Sequence, residues 1–242
     1  MFLLVGLGNP GSGYRNNRHN IGFKVLENLE KLYNLPKFTK KFKSEYTKFS
    51  LNGNVVYLLK PATYMNNSGI AVKEIMEFYN IDIQNIYVIH DEIDLDCGQI
   101  KIKNGGGHNG HNGLKSIDQS IGKEYNRVRI GVSRPSRLYE KNINENISSW
   151  VLSDFTPEDT VTWLDDTIER TIKDSRSNII FSLQQHLLAL NTLSIKLSGQ
   201  LNKFDDQLNQ FPEKEKMLRA IERNQEIKEA LYLFLLQKRE EA

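Results

Sequence analysis

The chain has 242 residues, is 39% hydrophobic and 26% charged, and carries a formal charge of +2. That composition suffices for one buried core with an appendage and excludes a disordered chain. No apolar run approaches the roughly 20 residues of a membrane-spanning helix, and the single cysteine, Cys97, excludes an internal disulfide and points to a reducing compartment, the cytoplasm.

The N-terminal stretch MFLLVGLGNPG is short, lacks a basic lead and is broken by glycines, so it reads as a first strand and not as a signal peptide. Further β-rich runs follow at 55–60 (VVYLLK), 86–91 (IYVIHD) and 127–132 (RVRIGV). Helical patterns lie between them, over 20–34, 68–80 and 112–121, each starting near an Asn or Ser expected to cap it. This alternation predicts an α/β domain with a mixed, partly parallel sheet flanked by helices. Thr156, Pro157 and the acids after them open a helix expected over 157–180. Leu190, Leu193, Leu197, Leu201, Phe204, Leu208 and Phe211 then recur at spacings of three and four. Pro212 interrupts that seam, and Ile221, Ile227, Leu231 and Phe234 begin another. The expected organisation is a domain over 1–184 and a C-terminal helical extension, hairpin-like, over 185–242.

Charge divides the chain in the same way. Residues 1–140 hold 19 basic and 13 acidic side chains, whereas the remainder holds 13 and 17. An anion-seeking surface is therefore expected in the first part.

Gly6, Gly8 and Gly11 formally match a dinucleotide fingerprint, but Pro10, Gly13 and Asn16 prevent a helix from starting inside the run. The segment is expected to be a tight loop presenting Asn9. Next comes Arg18-His19-Asn20, at the start of the first helix. His19, with an ordinary pKa near 6.5, is the best candidate for a base, and a capping or surface histidine is the bland alternative. Asp91 ends a strand, where α/β sheets build their sites, and could orient His19. Metal binding by Asp91, Glu92, Asp94 and Asp96, or zinc at His108 and His111, are the competing readings, and neither is preferred. The run Gly105 to Gly113 reads as a loop lining a cleft. Tyr64 and Tyr14 could stack on bases, and Asn66 could anchor a peptide amide; either tyrosine could equally be core.

Together GLGNPG, the stretch from Tyr14 to Phe23 with RHN, KPATYMNNSG, HDEIDLDCG and GGGHNGHNGLKS resemble the bacterial peptidyl-tRNA hydrolase family over about 2–180, in order and spacing. The resemblance implies a monomeric esterase without metal or cofactor, in which His19 activates water and Asp91 supports it. It further implies that Asn9 distinguishes blocked from free aminoacyl groups, that Tyr14, Tyr64, Asn66 and Asn112 contact tRNA or peptide, and that Asn20 supports the cleft. Lys101, Lys103, Arg129 and Arg134 are implied phosphate contacts. Asn17 departs from the family's Thr, and the tail departs from its usual end. Residues 226–242 are locally similar to a helical segment of polysaccharide chain-length regulators and their tyrosine-kinase relatives, which leaves the origin of the extension, a fusion included, open. Two rival functions follow: a non-catalytic RNA-binding protein of this fold, and an envelope scaffold acting through the tail, which is also a candidate for self-association.

Overall fold

The computed structural model describes residues 1–134, 143–208 and 213–241. Its contacts divide the chain into two units, residues 1–177 and 178–242.

The first unit is built on a seven-stranded sheet: β1 (Phe2–Gly6), β2 (Thr39–Lys41), β3 (Ser44–Leu51), β4 (Asn54–Pro61), β5 (Ile86–Glu92), β6 (Ile100–Asn104) and β7 (Asn126–Gly131). The order is β2-β3-β4-β1-β5-β7-β6. β1 pairs in parallel with β4 and β5, and β5 with β7, whereas both edges are antiparallel. Every residue of β1 and β5 is buried. Such central strands bury both faces and so read as continuous apolar runs. β2, β3 and β6 lie outside the strands expected from the sequence. They are the charged outer strands, whose apolar content is too sparse to announce them.

Helices α1 (Ile21–Leu32), α2 (Ser68–Tyr79) and α3 (Asn112–Ile121) fall where the periodicity predicts them. α1 buries Ile21, Val25 and Leu29 on one stripe, and α2 and α3 add Val72, Ile75, Leu114 and Ile117 to a core shared with Leu3, Val5, Leu59 and Val88. The expected Asn or Ser caps are corrected for all three helices, the N-cap of α3 being His111. Asn20 and Asn67 occupy the N-cap positions of α1 and α2 without a capping hydrogen bond.

A further helix, α4 (Ile143–Val151), is absent from the sequence expectation. After it, Thr156 and Asp159 form the predicted capping box, with Pro157 in the first turn of α5 (Pro157–Asp159). A π-helical turn, Thr160–Leu164, leads into α6 (Asp165–Leu208). The break expected near residue 180 is therefore overturned, because no Gly or Pro occurs between Asp165 and Ser198 to stop the helix.

The second unit contains the rest of α6 and α7 (Glu213–Glu241). Of the seam residues, Leu190, Leu197, Leu201, Ile227, Leu231 and Phe234 are half-buried, whereas Leu193, Phe204 and Ile221 are exposed, and the Arg223 guanidinium lies 5.5 Å from the Phe204 ring. Leu187, Leu188, Ile195, Met217, Leu218 and Tyr232 remain at least 59% exposed. Phe211 and Pro212, where a break is expected, lie outside the described residues.

Two close approaches seat α1 on the sheet. A Cβ at Gly6 would lie 2.3 Å from the Gly22 carbonyl oxygen, and one at Gly22 would lie 2.4 Å from the Leu7 nitrogen and 2.5 Å from the Ile89 oxygen. Alanine is the better helix former by about 1 kcal/mol, but here the clash is with backbone that cannot step aside. Gly22→Ala is expected to destabilise the fold by about 1–3 kcal/mol, the usual cost of overpacking, in urea denaturation. A neutral or stabilising change would mean that α1 is not seated this closely.

Candidate active site

The parallel strands β1, β4 and β5 deliver their carboxyl ends to one side of the sheet, where the following loops converge. Beyond β1 the chain makes two 3-10 turns, Ser12–Tyr14 and Arg18–Asn20, before α1 begins. The glycine run thus does not open a helix, and no pyrophosphate-binding turn is formed. Arg18 fixes the second turn from below. Its buried guanidinium donates to Ser153 Oγ at 2.8 Å and to Asp159 Oδ2 at 2.9 Å, and it stacks 4.0 Å from the Trp150 ring.

His19, next in the chain, meets Asp91 at the end of β5. Its Nδ1 lies 2.8 and 3.0 Å from the two Asp91 carboxylate oxygens. Both residues are buried. Burial opposes a charged imidazole, but the charge of Asp91 and its hydrogen bond outweigh that, so the His19 pKa is raised above the ordinary value. Burial would likewise raise the Asp91 pKa, yet the two imidazoles facing it hold its carboxyl well below the usual range.

The second imidazole is His111, whose Nε2 lies 3.1 Å from Asp91 Oδ1. Its Nδ1 accepts the backbone N–H groups of Gly113 and Leu114, capping α3. That cap dictates the tautomer: with Nδ1 accepting, the ring proton sits on Nε2 and points at Asp91. His19, Asp91 and His111 bring potential ligand atoms within 4.8 Å of one another. They do not suit a cation, since coordination through His111 Nε2 would put the proton on Nδ1 and break the cap. Both ring nitrogens of His111 are engaged, Nδ1 by the cap and Nε2 by Asp91, so a zinc site with His108 would have to displace one of these contacts.

Asn9 is held on three sides. Its N–H donates to Asn20 Oδ1, its carbonyl accepts from Asn20 Nδ2, both at 2.9 Å, and its Oδ1 accepts the Met65 N–H at 2.8 Å. The last bond sets the amide orientation and leaves Nδ2 as an available donor. Asn20 is thereby a support for Asn9.

A cavity of about 370 Å³ is lined by His19, Asp91, His111, Asn112, Arg134 and residues of the glycine loop. A second, of about 250 Å³, is lined by Asn9, Asn20, Phe23, Lys24 and Lys60. Tyr14 and Tyr64 meet edge to face at 6.4 Å, with Tyr64 60% exposed. Asn66 is exposed beside Met65. The glycine loop is anchored by buried Arg127, which donates to the Gly107 carbonyl at 2.6 Å and to Asp118 at 2.9 Å. Of the basic residues singled out, Arg129 is paired with Glu92 and Arg134 with Asp94, while Lys101 lies opposite Arg129 on the edge strand β6. Sequence reasoning missed two roles. Arg18 carries no periodic signal, and the sequence offers His111 as a zinc candidate although its place just before the helix suits a cap.

The sequence model of the family described as peptidyl-tRNA hydrolase matches residues 3–198. The peptidyl-tRNA hydrolase of Bartonella henselae is 44% identical over 174 residues, covering 72% of this chain and 86% of that protein. That of Rickettsia canadensis is 49% identical over 156 residues, covering 64% and 81%. The crystal structure of the Acinetobacter baumannii peptidyl-tRNA hydrolase superposes with a TM-score of 0.66 at 35% identity, covering 78% of this chain and 91% of that one.

His90 stands behind the site, fully buried, with Nδ1 donating to the Asp91 carbonyl at 2.7 Å. Burial, reinforced by His111, pushes its pKa down to about 3. As pH falls from 6.5 toward 3, the unfolded chain takes up a proton at this position and the folded protein does not, so stability is lost. His19 adds no slope in this window, because its raised pKa contributes stability already complete below 6.5. Unfolding by urea should show His90→Gln flattening the decline between pH 6 and pH 4 by up to about 1.4 kcal/mol per pH unit. Parallel declines in the two proteins would show that His90 is not held neutral.

Proposed function

The chain belongs to the peptidyl-tRNA hydrolase family and is an enzyme that hydrolyses peptidyl-tRNA, and on that premise we propose that His19 is its general base, that Asp91 orients and supports His19, and that Asn9 steadies the reacting carbonyl. The observation carrying this reading is the contact of His19 Nδ1 with both oxygens of Asp91. With Nδ1–H donating to the carboxylate, Nε2 is left as the basic atom.

In the proposed reaction His19 Nε2 takes a proton from water as the water oxygen bonds to the ester carbonyl carbon. Negative charge moves onto the carbonyl oxygen, where Asn9 Nδ2 is the available donor, and the imidazolium faces the Asp91 carboxylate. The bond from that carbon to the ribose oxygen then breaks. The ribose oxygen takes the proton from His19, leaving a free tRNA hydroxyl and a peptide carboxylic acid that ionises in solvent.

Tyr14 and Tyr64 receive the 3′ terminal nucleotide in this reading, Asn66 and Asn112 bind main-chain amides of the peptide, and Lys101 and Lys103, with Arg129 and Arg134, face tRNA phosphates. The chemistry uses neither metal nor cofactor. We assign its place to the cytoplasm, consistent with one free cysteine, Cys97. Residues 1–184 act as a monomeric catalytic region. Residues 185–242 are an extension through which copies self-associate, which the exposed apolar side chains of α6 and α7 support.

Release of N-acetylaminoacyl groups from tRNA is the assay, with unblocked aminoacyl-tRNA as control. His19→Ala should lower kcat by about 10²- to 10⁴-fold, and near-native turnover would remove His19 from the chemistry. The native acid limb of kcat/KM should lie above pH 6.5, because His19 must be neutral and its pKa is raised. In Asp91→Asn the burial persists while the carboxylate charge is gone, so the limb should move to lower pH and kcat should fall. An unmoved limb would assign it to another group.

A further inference from the structure

The antiparallel edge β2-β3 carries charge that the proposed reaction does not use. Between residues 37 and 48 there are five lysines and one acid, Glu45. Lys40, Lys41, Lys43 and Lys48 are all exposed. Lys43 is paired with Glu74 at 2.7 Å, and Lys41 holds its ammonium 4.1 Å from the centre of the Phe78 ring, which is 61% exposed.

The turn of this hairpin is also built with unsuited residues. Lys41 pairs with Ser44, so Phe42 and Lys43 are its two central positions, and both are left-handed, with φ of 54° and 47°. Turns of this kind favour Asn and Gly. Phe42 is kept there by an aromatic cluster, its ring 5.1 Å from Phe78 and 5.4 Å from Tyr46. The cluster holds the lysines on either side of the turn in fixed places.

The turn, with Lys40, Lys41 and Lys43, is at the active-site end of the sheet, and Lys48, opposite Tyr57, lies farther along β3. Ser44 pairs with Pro61, the last residue of β4, and the Ala62 N–H donates to the Lys43 carbonyl at 2.8 Å, only two residues before Tyr64. The lysines Lys101 and Lys103 lie on the opposite edge strand, β6. Five strand spacings separate β3 from β6, roughly 24 Å, wider than one unpaired RNA strand entering between them requires.

We infer that the β2-β3 hairpin is a second tRNA-contacting surface, which grips phosphates of the folded tRNA away from the scissile ester; the inference rests on the functional reading above. Alternating cations beside an exposed ring match nucleotides, each an anionic phosphate next to a flat base, better than an acidic peptide, which offers no ring. The hairpin touches no reacting atom, so its contribution is to the capture of whole tRNA.

The test compares two substrates of the full-length protein, N-acetylaminoacyl-tRNA and an N-acetylaminoacyl CCA oligonucleotide, across a range of salt. The triple variant Lys40→Glu, Lys41→Glu, Lys48→Glu should raise KM for whole tRNA about tenfold or more, lower the salt slope by about 2–3, and leave both the kcat and the oligonucleotide KM as in the native protein. The milder triple Lys→Gln set should show a smaller shift in the same direction, which separates lost contacts from a damaged fold. A native-like KM for whole tRNA in both sets overturns the inference, as does an equal loss on both substrates. If the native protein cleaves neither substrate, the functional reading itself has failed and the inference falls with it.

Discussion

A carboxylate buried among strands must find donors or remain protonated, and Asp91 finds two imidazole N–H groups. Neither comes from its own strand. One arrives on the turn after β1 and the other on the loop before α3, so a single desolvated charge decides where three segments meet. The requirement spreads outward. His19 can face Asp91 only because Arg18 ties its turn to Ser153 and Asp159, and His111 can do so only because its other nitrogen is committed to the amides of α3. Burial alone would make both His19 and Asp91 reluctant to ionise. Their contact reverses the sign for each, and the resulting polarised pair lines the cavity of about 370 Å³.

The supporting layer follows the same logic with neutral groups. Asn20 satisfies both main-chain groups of Asn9, and Met65 fixes the direction of the Asn9 amide. Strict complementarity of donors and acceptors leaves one N–H₂ group uncommitted, the group proposed to face the reacting carbonyl. Preorganisation of this sort costs little during turnover, because the dipoles are already set when charge develops. Arg127 performs a similar service for the glycine loop, which it ties at the Gly107 carbonyl.

Much of this could be read from residues alone. β1 and β5 announce themselves as apolar runs because the parallel centre of a sheet is buried on both faces, and the helices over 68–80 and 112–121 follow their periodicity. His19 and Asp91 stood out through residue chemistry and position at the ends of elements. The outer strands did not, since Lys40 to Lys48 and Lys101 to Lys103 look like solvated charge until a neighbouring strand supplies their hydrogen bonds. The caps failed for a different reason. Asn20 is a good capping residue that the fold recruits for Asn9 instead, and His111, a poor one by statistics, caps α3 because Asp91 already orients its ring. Local propensity gave way in both places to demands from residues distant in sequence. The long α6 shows the converse: with no Gly or Pro between Asp165 and Ser198, the helix continues past the end expected near residue 180.

His111 joins two obligations in one ring. Its Nδ1 belongs to the helix and its Nε2 to the carboxylate, and the one proton it carries cannot be moved without disappointing one of them. An amide side chain could accept from the helix or donate to Asp91, but it lacks the rigid, five-membered spacing that lets both happen at once. A single substitution that removes the imidazole therefore removes a helix start and a charge partner together.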